Sequence, residues 1–284
     1  RVKRPYDGVH QYPFDIDNHQ LEGVIKLTKP DAVIHLAADH SVPKSLEFPA
    51  TTYYNNVANS IALLKHCVNS GVKHFVFSSS SSVYGNSDYL LNAEIDPTNP
   101  ITPYGRSKEM IEKVLSDFSN AYDFTYASLR YFNAGGAYEE FGYCLDPKEH
   151  LIPIVVEKAL NNETFTIFGE DYDTKDGTCE RDYTHVADIA LAHIASLNYL
   201  FDGGAGGIYN VGGGSSSSIR DVVAEVEKQL GVTIDVEVGP KRDGDPDKTS
   251  ATIAKAFEDF GWDSQYTLED IVRDEIKYQQ SLKK

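Results

Sequence analysis

The chain has 284 residues, enough for one large α/β domain or two closely joined ones, and its 41% hydrophobic and 24% charged residues exclude a disordered chain. A formal charge of −17 argues against nonspecific binding to nucleic acid or an anionic membrane, yet allows a phosphate ligand held by a few arginines in a pocket. Cys67, Cys144 and Cys179 form no metal-ligand spacing and no even disulfide set, and the sequence has no membrane-length apolar run or signal-peptide core, so a cytoplasmic protein without a metal site is expected.

In chain order, β-type runs are expected at 12–16, 31–38, 73–79 and 124–133, separated by helical patterns at 18–29, 51–71 and 103–122. Strands alternating with helices of this length mean βαβ units and a parallel sheet covered on both faces. Right-handed crossovers then gather the strand C-termini on one edge, where open α/β sheets bind ligands. The second half alternates less regularly, with helices expected at 150–162, 186–200 and 218–231 and strands at 165–169, 207–214 and 233–239. Two C-terminal helices start near Ala251 and Thr267. The fold class read from this is α/β: a Rossmann-like doubly wound parallel sheet with a smaller mixed α/β substrate domain interleaved beside it.

Chemistry concentrates in two stretches. The strand "KHFVFSS" runs into five consecutive serines, Ser78–Ser82, and "TPYGRSK" follows with Tyr104 and Lys108 four apart at a helix start, on one helix face. A phenol with a pKa of about 10 is a poor base, but a neighbouring ammonium favours the phenolate. A serine hydroxyl from the strand end would orient the same substrate oxygen. Together the three types make a proton-transfer device for oxidising a secondary alcohol beside a nicotinamide. A Tyr-x-x-x-Lys pair alone is common on exposed helix faces; its place after the strand and at a helix start gives it weight.

The stretches "HLAADHSVPKSLEFP", "FSSSSSVYG", "PYGRSK", "LRYFNAGGA" and "FGEDYDTKDGTCERDYTHVAD" resemble the extended short-chain dehydrogenase/reductase superfamily, and within it the UDP-glucose 4-epimerase family. The resemblance runs from about Asp15 to the C-terminal helices and implies NAD-dependent interconversion of UDP-glucose and UDP-galactose: oxidation at C4, turning of the 4-keto sugar, and re-reduction. It implies Ser80, Tyr104 and Lys108 as the catalytic set. Asp15, Ile16, Leu36, Ala37, Ala38, His40, Asn56, Ser79 and Tyr131 join Tyr104 and Lys108 at the NAD. His40 stands where members of the family often carry a lysine. Ser80, Ser82, Asn133, His150, Leu151, Thr166, Phe168, Arg181, Tyr183, Arg242 and Asp245 are implied around the UDP-sugar, two arginine forks suiting a diphosphate. Residues 1–133 and 181–212 would form the NAD-binding part, and 134–180 with 213–284 the UDP-sugar part. A homodimer through a four-helix interface is implied, the two helices at 51–71 and 103–122 coming from each chain.

The family's opening Gly-rich βαβ unit is missing: no G-x-x-G-x-x-G or G-x-G-x-x-G precedes the first expected strand, and the sequence is expected to omit an N-terminal segment. The glycines at 212–214 only imitate such a loop. Dehydratases and decarboxylases of the superfamily want carboxylates where Ser81 and Ser82 stand, and the fucose-synthase type wants a cysteine there. Two alternatives stay open: an epimerase for UDP-N-acetylhexosamines or uronates, the small Thr249 leaving room for an N-acetyl group, and a non-catalytic UDP-sugar-binding protein.

Overall fold

A computed structural model describes residues 8–283 apart from 88, 90, 146–147 and 243–245, so the Asp245 expectation lies outside the described residues. In chain order the elements begin with α1 (Leu21–Thr28), β1 (Ala32–His35), α2 (Val42–Glu47), α3 (Pro49–Tyr53), α4 (Asn59–Asn69) and β2 (His74–Ser80). Next come α5 (Pro103–Ala121), β3 (Thr125–Tyr131), β4 (Asn133–Gly135), α6 (Leu151–Asn161), β5 (Phe165–Phe168), β6 (Glu180–His185) and α7 (Val186–Phe201). The chain ends with β7 (Gly207–Val211), β8 (Ser216–Ser218), α8 (Ile219–Leu230), β9 (Val236–Gly239), β10 (Lys248–Thr249), α9 (Ala254–Phe260) and α10 (Leu268–Leu282).

Strands β1, β2, β3 and β7 lie side by side in that order, all parallel. Period-two alternation along β2 sends Phe75 and Phe77 into a core with Leu64 and Cys67 of α4 and Ile111 and Leu115 of α5. Val76, pointing the other way, packs with Ile189 and Ala192 of α7 and Ala256 of α9. Both faces are thus covered, as an apolar parallel sheet requires. A separate core joins α6, α8 and α10 through Val155, Val156, Val222, Val226, Ile271 and Val272, each worth about 1.5–3 kcal/mol when fully buried. Register aligns Ser80 with Tyr131, and Tyr131 with Val211, so the carboxyl ends of β2, β3 and β7 meet at one edge. Two residues on, Asn133 opens β4 and enters a second sheet, β10-β6-β4, with β8 antiparallel to β6.

Three expectations change, and one strand stands where none was expected. The strand expected at 12–16 is a turn, closed by Phe14 N–H to Tyr12 C=O at 2.9 Å and Asn18 N–H to Asp15 C=O at 3.0 Å. Alternation there has no neighbouring strand to pair with, since β1 pairs β2 alone among the described residues. The helix expected at 51–71 is broken at Tyr54–Ala58 by a π-helical turn. The strand expected at 124–133 divides at Phe132, β3 staying in the main sheet and β4 leaving it. Strand β6 was not foreseen, because "ERDYTH" is polar although Asp182, Thr184 and His185 are fully buried. Among the described residues no helix is long and apolar enough to cross a membrane.

Candidate active site

The serine run meets α5 through three contacts in step. Thr102 caps α5, its hydroxyl accepting from Gly105 N–H at 3.1 Å, and Pro103 presets the first turn, which fixes Tyr104 there. Gly105 lets the helix close on the strand end, since a Cβ there would lie 2.5 Å from the Ser82 carbonyl oxygen. Half-buried Tyr104 shares a hydrogen bond with the Ser80 hydroxyl, and Ser80 Oγ also lies 3.2 Å from Ser82 Oγ. One turn on, buried Lys108 donates from Nζ to the Ser78 carbonyl at 2.7 Å and lies 5.7 Å from the Tyr104 ring centre. Another turn on, Glu112 accepts from Ser79 Oγ at 2.6 Å and from Arg130 Nε and Nη2 at 2.9 and 2.7 Å.

Burial, not the ammonium, dominates the phenol: it pushes the Tyr104 pKa up, and the Ser80 hydrogen bond opposes the rise. Burial likewise pulls Lys108 down to about 8, against the raising effect of Glu112. The unliganded pair is therefore a neutral phenol beside an amine close to losing its proton, not the ready phenolate expected from spacing alone. A cation placed beside the phenol would reverse that balance.

The carboxyl edge of β1 gathers the small Ala37 and Ala38 behind Leu36, an apolar side chain left 61% exposed. Asn56 sits in the π-helical turn with its amide fully engaged, Oδ1 accepting from Asp39 N–H at 2.7 Å and Nδ2 donating to Asp39 C=O at 2.9 Å and Ser107 Oγ at 3.0 Å. It shapes the edge by holding the β1 exit loop. Such π-turns are common at functional sites. Tyr131 bonds His193 Nε2 at 2.6 Å; because His193 Nδ1 lies 2.7 Å from the Ile189 carbonyl, the phenol is the donor. The Ser79 hydroxyl is spent on Glu112, and exposed Asp15 and half-buried Ile16 lie in the turn before α1.

Beside this edge lies a cavity of about 380 Å³, and Asn133, His150, Leu151, Thr166, Phe168, Arg181, Tyr183 and Arg242 all line it. Phe168 supports the Arg242 guanidinium, 4.3 Å above its ring, and Thr166 Oγ1 donates to Glu237 at 2.6 Å. Alternation along β6 turns Arg181 and Tyr183 toward the cavity and Asp182 away, where its carboxylate accepts from Gly213 N–H, Ala251 N–H and Ser250 Oγ. Gly212 and Gly213 serve this packing, a Cβ on Gly213 falling 2.4 Å from the Tyr183 carbonyl oxygen. At the mouth, His40 stacks on His150 with ring centres 6.3 Å apart, and Lys44 pairs with Glu149 at 3.6 Å. Ser80, the last residue of β2 and paired with Tyr131, and Ser82, in the turn after it, lie outside the cavity lining.

Sequence reading missed Glu112, Arg130 and Asp182. The signal was there for Arg130, a charge inside the apolar run "FTYASLRYFN", because a buried charge demands a partner.

Residues 5–212 match the model of the NAD dependent epimerase/dehydratase family. A UDP-glucose 4-epimerase from Halalkalibacterium halodurans is 41% identical over 266 residues, covering 92% of this chain and 80% of that protein. Among solved structures, the Stenotrophomonas maltophila UDP-glucose-4-epimerase with bound NAD and formylated UDP-arabinopyranose superposes with a TM-score of 0.92 at 35% identity, over 96% of this chain and 83% of that one. The Brucella ovis UDP-glucose 4-epimerase in complex with NAD gives 0.91 at 38%, over 94% and 84%. With its parallel sheet, its Ser-Tyr-Lys comb and these matches, the chain belongs to the NAD dependent epimerase/dehydratase family.

Proposed function

We propose that this protein interconverts UDP-glucose and UDP-galactose, oxidising and re-reducing the sugar at C4 with NAD. The observation that carries the reading is the arginine-lined cavity next to a strand end on which Ser80, Tyr104 and Lys108 are already assembled. The relatives named above, one solved with both NAD and a UDP-sugar, support it.

The residues fit NAD at its reactive end. Lys108 spends one of its three donors on Ser78, leaving others for a ribose hydroxyl, and small Ala37 and Ala38 allow close approach to the β1 edge. NAD, when bound, would supply the acceptor that takes the C4 hydride and gives it back, and a positive charge that favours the phenolate. Tyr104 then removes the proton of the 4-hydroxyl, Ser80 hydrogen-bonds the same oxygen and holds its orientation, and Lys108 steadies the phenolate. Tyr104 returns the proton when the ketone is reduced from its other face. Arg181 and Arg242 hold the diphosphate throughout, the uracil resting by Thr166 and Phe168, so the sugar alone turns. Residues 1–133 with 181–212 serve the cofactor, and 134–180 with 213–284 the UDP-sugar.

The test is to assay UDP-galactose conversion and to quantify NAD released on denaturation; turnover with near-stoichiometric NAD is expected. A protein that neither carries nor takes up NAD, and is inactive, would overturn the reading. A second substrate class, UDP-N-acetylhexosamines, rests on the small Thr249, which would leave room for an N-acetyl group beside Arg181, its partner in the β10–β6 register. Zero turnover of UDP-N-acetylgalactosamine would end that extension. The active form is a homodimer joined through α4 and α5, in a reducing cytoplasm that suits three free cysteines.

A further inference from the structure

We propose that Glu112, anchored by Arg130, is a positioning residue for this reaction, tying the strand end that carries Ser80 and setting a carboxylate one helical turn from Lys108. Resting on the function proposed above, this assigns a role to a buried ion pair that substrate does not touch.

Tyr104, Lys108 and Glu112 stand at successive turns of α5, so one helix face carries all three. Each grips one residue of a consecutive run on β2: Tyr104 takes the Ser80 hydroxyl, Lys108 the Ser78 carbonyl, and Glu112 the Ser79 hydroxyl. Helix and strand are locked in register at the point of chemistry. Glu112 is 3% exposed and Arg130 2%, a pair that costs heavily to desolvate. Arg130 meets the carboxylate through two donors, rests 4.7 Å over the Tyr84 ring, and leaves Nη1 buried without a partner. An apolar pair of equal volume would serve packing as well or better. What an apolar pair would not supply is a fixed negative charge one turn from Lys108.

The other groups around the ammonium do not supply that charge. From β1, His35 faces it as a neutral imidazole, pulled down to about 4 by burial and by Lys108. From β2 come the Phe77 ring at 5.0 Å and the neutral Ser78 and Ser79. From β3 come the cationic Arg130 and the Tyr131 and Tyr126 phenols, which burial keeps protonated. On α5, Tyr104 is a neutral phenol, and Glu109 turns to Thr98 and Lys113. Glu112 is the carboxylate that opposes the loss of the Lys108 proton.

The experiment reads two quantities in purified wild type, Glu112→Gln, Glu112→Asp and the double variant Glu112→Gln with Arg130→Met. One is the pH profile of kcat on UDP-galactose; the other is the Lys108 titration by NMR of 15N-lysine-labelled protein, its signal assigned from Lys108→Met. In Glu112→Gln the basic limb and the titration should both move down by about one pH unit, with Glu112→Asp largely restoring them. If Glu112→Gln does not fold because Arg130 is left unpaired, the double variant must move both in the same direction, by less because the Arg130 cation facing Lys108 is lost with the carboxylate. A kcat lowered evenly at all pH values, with the Lys108 titration unmoved, would mean a merely structural pair and overturn the proposal. Should wild type fail to convert UDP-galactose, the function falls, while the NMR titration still decides on Glu112.

Discussion

At the residue scale, the proposed chemistry rests on two groups whose proton affinity burial moves away from that of the free side chain, up for the Tyr104 phenol and down for the Lys108 amine. Tyr104→Phe removes the hydroxyl proposed to move the proton and leaves the cavity lining untouched, so kcat should fall at least about a hundredfold with UDP affinity unchanged. Calorimetric titration with UDP beside the kinetic assay separates the two, and substantial residual turnover would remove Tyr104 from its role. Arg242→Ala makes the opposite split: the stacked guanidinium leaves Phe168, and the dissociation constant of UDP should rise about tenfold. An unchanged constant would place the diphosphate elsewhere. Which residues gather at the proposed site was largely legible, since Tyr104, Lys108 and the cavity arginines stand in short, chemically specific stretches. How the serines divide their work was not legible. Five identical residues carry no label, and only strand alternation, which turns Ser79 with Phe75 and Phe77 toward α5, gives Ser79 to Glu112 and Ser80 to Tyr104.

At the scale of the element, β6 does two jobs through one alternation, presenting Arg181 and Tyr183 to the cavity while Asp182 clamps the loops at Gly213 and Ser250–Ala251. Hydropathy could not find it, because its polar residues are buried by hydrogen bonds and not by apolar character. Burial pushes the Asp182 carboxyl up to about 6 from 3.8. Below the lower value both folded and unfolded chains hold the proton. Between the two the unfolded chain has lost it and the folded chain keeps it, so ionisation of Asp182 costs stability as pH rises through that window, by about 3 kcal/mol at most. Asp182→Asn does not titrate. Whatever its fixed cost in lost acceptors, the stability gap between wild type and variant should therefore shift in the variant's favour from pH 4 to pH 7. Urea unfolding at those two pH values reads it, and a gap that stays constant would show that the clamp holds a permanently ionised carboxylate.

At the scale of the whole molecule, the parallel sheet was legible from strand–helix alternation, because buried parallel strands must be apolar and their crossovers long. The relation of the two cores was not, since the chain leaves the main sheet after β3 and returns only at β7, and no local pattern announces that detour. One surface consequence follows from the same architecture. Helices α4 and α5 pack side by side over the core of Leu64, Phe75 and Ile111, yet Ile61 on α4 and Met110 on α5 remain 37% and 42% exposed. Tyr54, in the π-helical turn before α4, and Tyr122, at the far end of α5, are 57% and 51% exposed. The 19 residues of α5 span about 28 Å, long enough for two such helix pairs to bury the roughly 1,600 Å² that a stable interface needs. Two copies related by a two-fold axis would cover these side chains with their own counterparts, forming the proposed four-helix interface. Sedimentation equilibrium should give twice the mass of one chain for wild type, and the mass of one chain for the double variant Ile61→Lys with Met110→Lys, whose far-ultraviolet circular dichroism should match wild type. A monomeric wild type would overturn the dimer. A double variant that stays dimeric would move the interface off α4 and α5, because two lysine ammonium groups per chain cannot be buried face to face without partners.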